Sequence, residues 1–172
     1  MCKQIDLGQK KIIINLKYIH KLSSGMAKTI KEMCEFLKEK KEDITFLEGL
    51  DRIRYLVELG DDHESTYPFP SKLKTEANRV KGCVSGAYIA AEFKNGRVYY
   101  QGMSEARTVF GYVAILAQAL SGLTPEDIVN NSKGGIHDFI EGTNIKASLT
   151  PSRADAFGNV YKMIVMKAAE YM

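Results

Sequence analysis

The stretch from Arg79 to Gly86, with the sequence RVKGCVSG, holds the residue best suited to chemistry, Cys83. The two flanking glycines allow sharp turns and close approach by another chain. Nearby positive charge lowers the pKa of a thiol and burial raises it, and the sequence leaves open which effect dominates. A cysteine at a loop tip suits thiolate attack on another protein's sulfur, as in thiol–persulfide transfer. The alternative is a packed core cysteine, because free cysteines are among the most buried residues.

The other two cysteines, Cys2 and Cys34, are distant in sequence from Cys83 and from each other. Three widely spaced cysteines without a CxxC pair do not predict a disulfide framework, so a reducing compartment is favoured. A structural zinc site needs about four Cys or His ligands, usually in close pairs, and the three histidines do not supply them. We interpret Cys34, on the apolar face of a predicted helix, as a core contact.

Two further groups of residues have alternative interpretations. The run from Asp61 to Glu64 resembles a metal cluster, but a solvated loop after a helix is favoured. Arg153 falls in the first turn of the last predicted helix, where a cation opposes the helix dipole. It either forms an ion pair at the surface or core edge, or reaches an anionic sulfur or a partner's carboxylate. Neither a nucleotide-binding glycine motif nor a G-x-S-x-G motif is present.

The composition limits the function classes. With 172 residues, 45% hydrophobic and 26% charged, the chain suits one compact domain. The net charge of +3 does not indicate a nucleic-acid-binding face. No apolar stretch approaches the roughly 20 residues of a membrane span. We therefore expect neither a nucleic acid nor a membrane as partner.

Residues 1–25 are rich in lysine, with Asp6 as their one acidic residue. We expect a poorly ordered basic extension followed by a single domain over residues 26–172. Two alternatives are that Met26 is the true start and that the segment is a transit peptide, although it contains no arginine.

Along the sequence, the hydrophobic pattern predicts helices before and after a small sheet. Two helices are expected first, over residues 27–41 and 43–59, with Gly60 ending the second and a polar loop over residues 61–70. Later helices are expected over residues 105–120, 125–129, 136–141 and 150–169. The first of these later helices is apolar around most of its circumference, so we expect it to be central and buried.

The predicted sheet centres on Asn95-Gly96, a strong signal for a two-residue hairpin. Strands are expected over residues 85–93 and 97–101, with a shorter third strand near residues 79–82. The predicted fold class is therefore α+β, a three-stranded antiparallel sheet with helices packed on one side.

Four ordered motifs resemble those of the SufE family of sulfur acceptors, and the resemblance runs from about Asp43 to Met172. They are the helix segment YLVELG at residues 55–60, VKGCVS at 80–85, GMSEA at 102–106 and LTPSR at 149–153. Each motif is weak alone, but their order and spacing together are specific.

The resemblance implies that Cys83 accepts sulfur from the persulfide of a SufS-type cysteine desulfurase, with Arg153 in a supporting role. It implies a SufE/IscU-like fold and a cytoplasmic accessory persulfide carrier that activates the desulfurase for iron–sulfur cluster assembly, rather than a stand-alone enzyme. No metal or cofactor of its own is expected, since the pyridoxal phosphate belongs to the desulfurase. A downstream scaffold such as SufBCD would receive the sulfur, and a monomer or weak homodimer is expected.

Departures from the family pattern bear mainly on partner identity. Val84 stands where many members have glutamine, Met103 replaces the first acid of the GMSEA motif, and Asp155 and Ala156 replace an amide and a glycine. The alternatives are a sulfur relay to tRNA modification or another sulfur pathway, a binding module with an inert Cys83, and an iron–sulfur scaffold. A scaffold needs about three neighbouring thiolates.

Overall fold

The computed structural model describes residues 29–143 and the helix from Pro151 onward, with side chains of that helix described from Asp155. The expected basic extension, residues 1–25, lies outside the described residues. We number the main elements α1 (Ile30–Phe46), α2 (Gly49–Thr66), β1 (Ala87–Lys94), β2 (Arg97–Ser104), α3 (Arg107–Leu120), α4 (Lys133–Gly142) and α5 (Pro151–Ala169). Short 3₁₀ turns lie at Ser71–Leu73 and Glu76–Asn78, and a π turn lies at Asp127–Asn131.

Helix α3 forms the centre of the core, as its apolar sequence predicted. Nearly all its residues are buried, and it packs against α1, α2, β2 and α5. Two glycines allow this close packing. A Cβ on Gly111 would collide with the backbone carbonyl of Leu56 in α2, and a Cβ on Gly102 in β2 would collide with Val113.

Strands β1 and β2 form the predicted hairpin. They pair antiparallel, with Ala87 opposite Ser104 and Lys94 opposite Arg97. Asn95 has φ 52° and Gly96 has φ 75°, the left-handed pair that a two-residue hairpin turn requires. The local turn signal was therefore correct.

The predicted third strand near residues 79–82 is wrong, and within the described residues the sheet has two strands. Arg79 forms only an isolated antiparallel bridge with Tyr88, supported by a 2.8 Å hydrogen bond from the Val80 amide to the Ala87 carbonyl. The chain turns away at Gly82, where φ is 78°, so pairing ends after one bridge. The α+β class and the antiparallel pairing are as expected.

Helix α2 continues past its predicted end at Leu59, and the polar loop predicted from Asp61 begins only after Thr66. Gly60 is buried inside the helix, where an added Cβ would lie 3.2 Å from Phe110 Cβ and from the Gly111 amide. His63 extends the same buried face one turn further. Gly60 therefore serves helix packing and not helix termination.

The other helices differ from prediction mainly at their ends. Helix α1 extends to Phe46, with the Thr29 side chain accepting a hydrogen bond from the Glu32 amide at its start. Helix α3 begins at Arg107, and Ser104 accepts a hydrogen bond from the Ala106 amide before it. Helix α5 begins at Pro151, within a residue of its predicted start. Within the described part of the chain, every helix is too short or too polar to cross a bilayer.

Candidate functional site

Cys83 lies in a short loop, residues 81–86, whose two ends lie side by side at the start of β1. The hydrogen bond from Val80 to Ala87 and the bridge between Arg79 and Tyr88 close its base. The left-handed conformation of Gly82 begins the loop, and β1 begins directly after Gly86. The sequence correctly placed Cys83 in a loop between glycines.

The Cys83 side chain is half-buried and packs against the edge of the hydrophobic core. Burial raises the pKa of its thiol, so the resting side chain is protonated at neutral pH. Of the two opposing effects that the sequence left open, burial therefore dominates. The next residue, Val84, is 85% exposed at the loop tip. The loop thus presents an aliphatic tip to solvent while its thiol faces the protein.

Glu105 holds the C-terminal end of the loop. Its carboxylate accepts a 3.1 Å hydrogen bond from the Gly86 amide, and its own amide donates a 2.8 Å hydrogen bond to the Gly86 carbonyl. A Cβ on Gly86 would lie 2.8 Å from the carboxylate, so a larger residue there would displace the Glu105 side chain. Glu105 belongs to the GMSEA motif, but no sequence pattern indicated this contact.

Helix α5 holds the N-terminal stem of the loop. Lys167 is buried on α5 and donates hydrogen bonds to Asn78 Oδ1 at 2.8 Å and to the Ala77 carbonyl at 3.4 Å. The Asn78 side chain in turn donates to the Leu73 carbonyl at 2.9 Å. Two turns earlier on α5, the Asn159 amide lies against Gly82. No sequence pattern indicated Lys167 or Asn159, because both contacts join segments distant in the chain.

The remaining candidate residues are elsewhere or only partly described. Arg153 falls in the first turn of α5 as predicted, but its side chain lies outside the described residues, so its supporting role stays a prediction. Cys34 is half-buried on α1 and packs against the core, consistent with the predicted contact. It lines a cavity of about 210 Å³ between α1 and α4, to which no residue of the Cys83 loop contributes.

The acidic run near the end of α2 does not form a metal site. Asp61 pairs with Arg107, and His63 points into the core at 2% exposure. Among the residues that the structure describes, no group of three or more His, Cys, Asp or Glu side chains could hold a metal ion. The predicted solvated loop was wrong here because the segment is helical.

The fold is shared with a known structure. The solution structure of a hypothetical protein from Thermus thermophilus superposes with a TM-score of 0.60 at 22% identity, covering 78% of this chain and 94% of that one.

Three relatives share sequence with the chain. An uncharacterized SufE-like protein of Synechocystis is 48% identical over 104 residues, which is 60% of this chain and 63% of the relative. SufE-like protein 1 of Arabidopsis thaliana, named as chloroplastic/mitochondrial, is 33% identical over 59% of this chain and 26% of its own length. The sulfur acceptor protein CsdE of Escherichia coli is 27% identical over 67% of this chain and 75% of its own length. The chain thus spans less than two thirds of the length of the Synechocystis and Arabidopsis relatives.

Residues 38–168 match the SufE family, described as an Fe-S metabolism associated domain. This match includes the Cys83 loop, Glu105, Asn159 and Lys167. The chain belongs to the SufE family.

Proposed function

We propose that this protein accepts sulfur from a SufS-type cysteine desulfurase, carries it as a persulfide on Cys83 and delivers it for iron–sulfur cluster assembly. The observation that carries the proposal is the half-buried thiol of Cys83 in a closed loop with an exposed tip. Family membership and the relative named as a sulfur acceptor support it.

The proposed transfer is a thiol–persulfide exchange. The Cys83 thiol loses its proton, and the thiolate attacks the outer sulfur of the desulfurase persulfide. A new sulfur–sulfur bond forms on Cys83 as the old one breaks, and the desulfurase cysteine leaves as a thiolate. No external oxidant or reductant is consumed, because one persulfide replaces another.

Burial of the thiol gives the resting carrier low reactivity. The raised pKa of Cys83 keeps most of the thiol protonated, and a protonated thiol is a poor nucleophile. Docking on the desulfurase would turn the loop outward and move the thiol to a more polar environment. Gly82 and Gly86, at the two ends of the loop, are the residues whose backbone can accommodate that turn.

The chain supplies one thiol, and the rest of the chemistry belongs to its partners. The pyridoxal phosphate that releases sulfur from free cysteine belongs to the desulfurase, and a scaffold such as SufBCD would receive the sulfur. Arg153, early in α5, is proposed to support the anionic sulfur or contact the partner. The protein would then act in a reducing compartment such as the cytoplasm, as an accessory carrier.

Desulfurase activity provides the first test. Wild-type protein should stimulate cysteine turnover by a SufS-type enzyme, whereas Cys83→Ser should not, with its fold intact by circular dichroism. Cys34→Ala is the matched control: it removes a thiol that packs against the core, so it should lower stability but retain stimulation. Full stimulation by Cys83→Ser would contradict the proposal.

A further inference from the structure

A side-chain amide lies directly beside the residue that precedes Cys83. A Cβ built on Gly82 would lie 2.8 Å from Asn159 Nδ2, 3.5 Å from its Cγ and 3.8 Å from its Oδ1. The amide nitrogen therefore lies closer to the loop than the amide oxygen does. Glycine at position 82 allows this approach as well as the left-handed turn with φ 78°.

Asn159 is held in place through its helix, at two points. It is half-buried on α5, whose neighbouring residues Phe157 and Val160 are in the core. Eight residues further along the helix, about 12 Å by helix geometry, Lys167 binds Asn78 and the Ala77 carbonyl. The stem of the loop therefore lies along α5 between Lys167 and Asn159, and Asn159 keeps its place when the loop tip moves.

The Asn159 amide is also available as a hydrogen-bond donor. It has no hydrogen-bond partner among the residues that the structure describes. While the loop is in the inward position that the structure describes, a thiolate on Cys83 forms in a partly buried place, where charge is costly and a hydrogen-bond donor stabilises it. Hydrogen bonds to an anion are shorter and stronger than those between neutral groups.

We propose that Asn159 is a further functional residue of the site, whose amide donates a hydrogen bond to the Cys83 sulfur when the thiolate, or the persulfide after the loop has returned, lies in the inward position. This assignment rests on the proposed function, since it takes Cys83 as the accepting thiol. Asn159 would offset part of the cost of burying the charge and would leave the resting thiol unaffected.

Other charged residues lie on the segments next to the loop and on α5, and they act as a constant background in the test. They come from the loop stem, the start of α3 and the adjoining turns of α5: Arg79, Lys81, Glu105, Asp155 and Lys162. Arg79 pairs with Glu76 at 3.5 Å, and the Glu105 carboxylate is bound to the Gly86 amide. Only position 159 is changed between variants, so these groups contribute equally to each measurement.

The test is the pH dependence of Cys83 alkylation by iodoacetamide in the full chain, resolved by peptide mass spectrometry. The midpoint reports formation of the thiolate, and the high-pH plateau reports access to it. We expect Asn159→Ala to raise the midpoint by about one unit, because a hydrogen bond to a charged group is lost. Asn159→Asp should raise it further, since a carboxylate repels the thiolate, and Asn159→Gln should restore part of the effect.

Cys34, alkylated in the same samples, is the internal control and should keep its midpoint in every variant. A role confined to packing would change only the plateau. An unchanged Cys83 midpoint in both Asn159→Ala and Asn159→Asp would overturn the assignment.

The assay contains no desulfurase, so its outcome is separate from that of sulfur transfer. A shifted midpoint with no persulfide on Cys83 would reject the proposed function alone. Persulfide on Cys83 with an unchanged midpoint would reject the role of Asn159 alone.

Discussion

Glu105 and Gly86 bind each other through two hydrogen bonds, one from the Gly86 amide to the Glu105 carboxylate and one from the Glu105 amide to the Gly86 carbonyl. Glu105 lies two residues before α3, the helix at the centre of the core. The end of the Cys83 loop is therefore joined to the segment that leads into the buried central helix. We expect the side-chain half of this pair to open when the loop turns outward.

Glu105→Ala should increase the access of reagents to Cys83. The substitution removes the carboxylate that holds the Gly86 amide, so the loop should open more often. We expect the plateau rate of Cys83 alkylation at high pH to rise several-fold, with a loss of stability of about 1 kcal/mol. Glu105→Gln keeps an acceptor oxygen and should stay close to wild type. An unchanged plateau in Glu105→Ala would show that the loop is held by other contacts.

Gly111→Ala should destabilise the protein strongly. The added methyl group would collide with the Leu56 carbonyl, and a backbone atom cannot move away without shifting α2 relative to α3. We expect a loss of about 2 kcal/mol or more in urea unfolding. Gly158→Ala is the matched control in α5, where no described atom outside the adjoining helix backbone lies within 4 Å of the added group. It should gain about 0.5 to 1 kcal/mol, and equal effects at both positions would contradict the packing described.

His63 should make the protein sensitive to mild acid. Both ring nitrogens are buried without a hydrogen-bond partner in the described part of the chain, and the ring packs edge-on against Tyr67 and Phe110. Burial lowers its pKa from 6.5 to about 4, so the unfolded chain binds the proton more readily than the folded protein does. Stability is therefore full above about pH 6.5 and falls as pH decreases toward 4.

Between about pH 7 and pH 5 we expect His63 to cost the protein about 2 kcal/mol of unfolding free energy. His63→Leu should remove most of that pH dependence, whereas substitution of the exposed His137 by Gln should leave it in place. Urea unfolding at the two pH values measures both. Equal pH dependence in wild type and His63→Leu would contradict a buried neutral His63.

Local signals predicted the parts of the fold that depend on a few adjacent residues. The hairpin followed from Asn95-Gly96, whose backbone conformation is a property of those two residues. The start of α5 followed from Pro151. Gly60 misled the prediction because a glycine near a helix end resembles a C-cap, whereas here it allows contact with Phe110 and Gly111, which are distant in the chain.

The candidate site was likewise predicted where it depends on adjacent residues and missed where it depends on distant ones. The position of Cys83 between glycines could be predicted from the sequence. Its partial burial could not, because burial depends on the packing of the hydrophobic core. The third strand failed because one bridge, between Arg79 and Tyr88, was all that formed before the turn at Gly82. Asn159 and Lys167 reach the loop from a helix whose register against it no sequence pattern specifies.

The most direct test of the account is peptide-resolved mass spectrometry of the full chain after incubation with a SufS-type desulfurase, its pyridoxal phosphate and free cysteine. We expect a gain of about 32 Da, the mass of one sulfur atom, on the peptide that contains Cys83. That gain should disappear on treatment with a reducing thiol and should be absent from the peptide that contains Cys34. Sulfur on Cys34 with none on Cys83 would contradict the proposal that Cys83 accepts the sulfur. Sulfur on neither cysteine while the desulfurase turns over would contradict it as well.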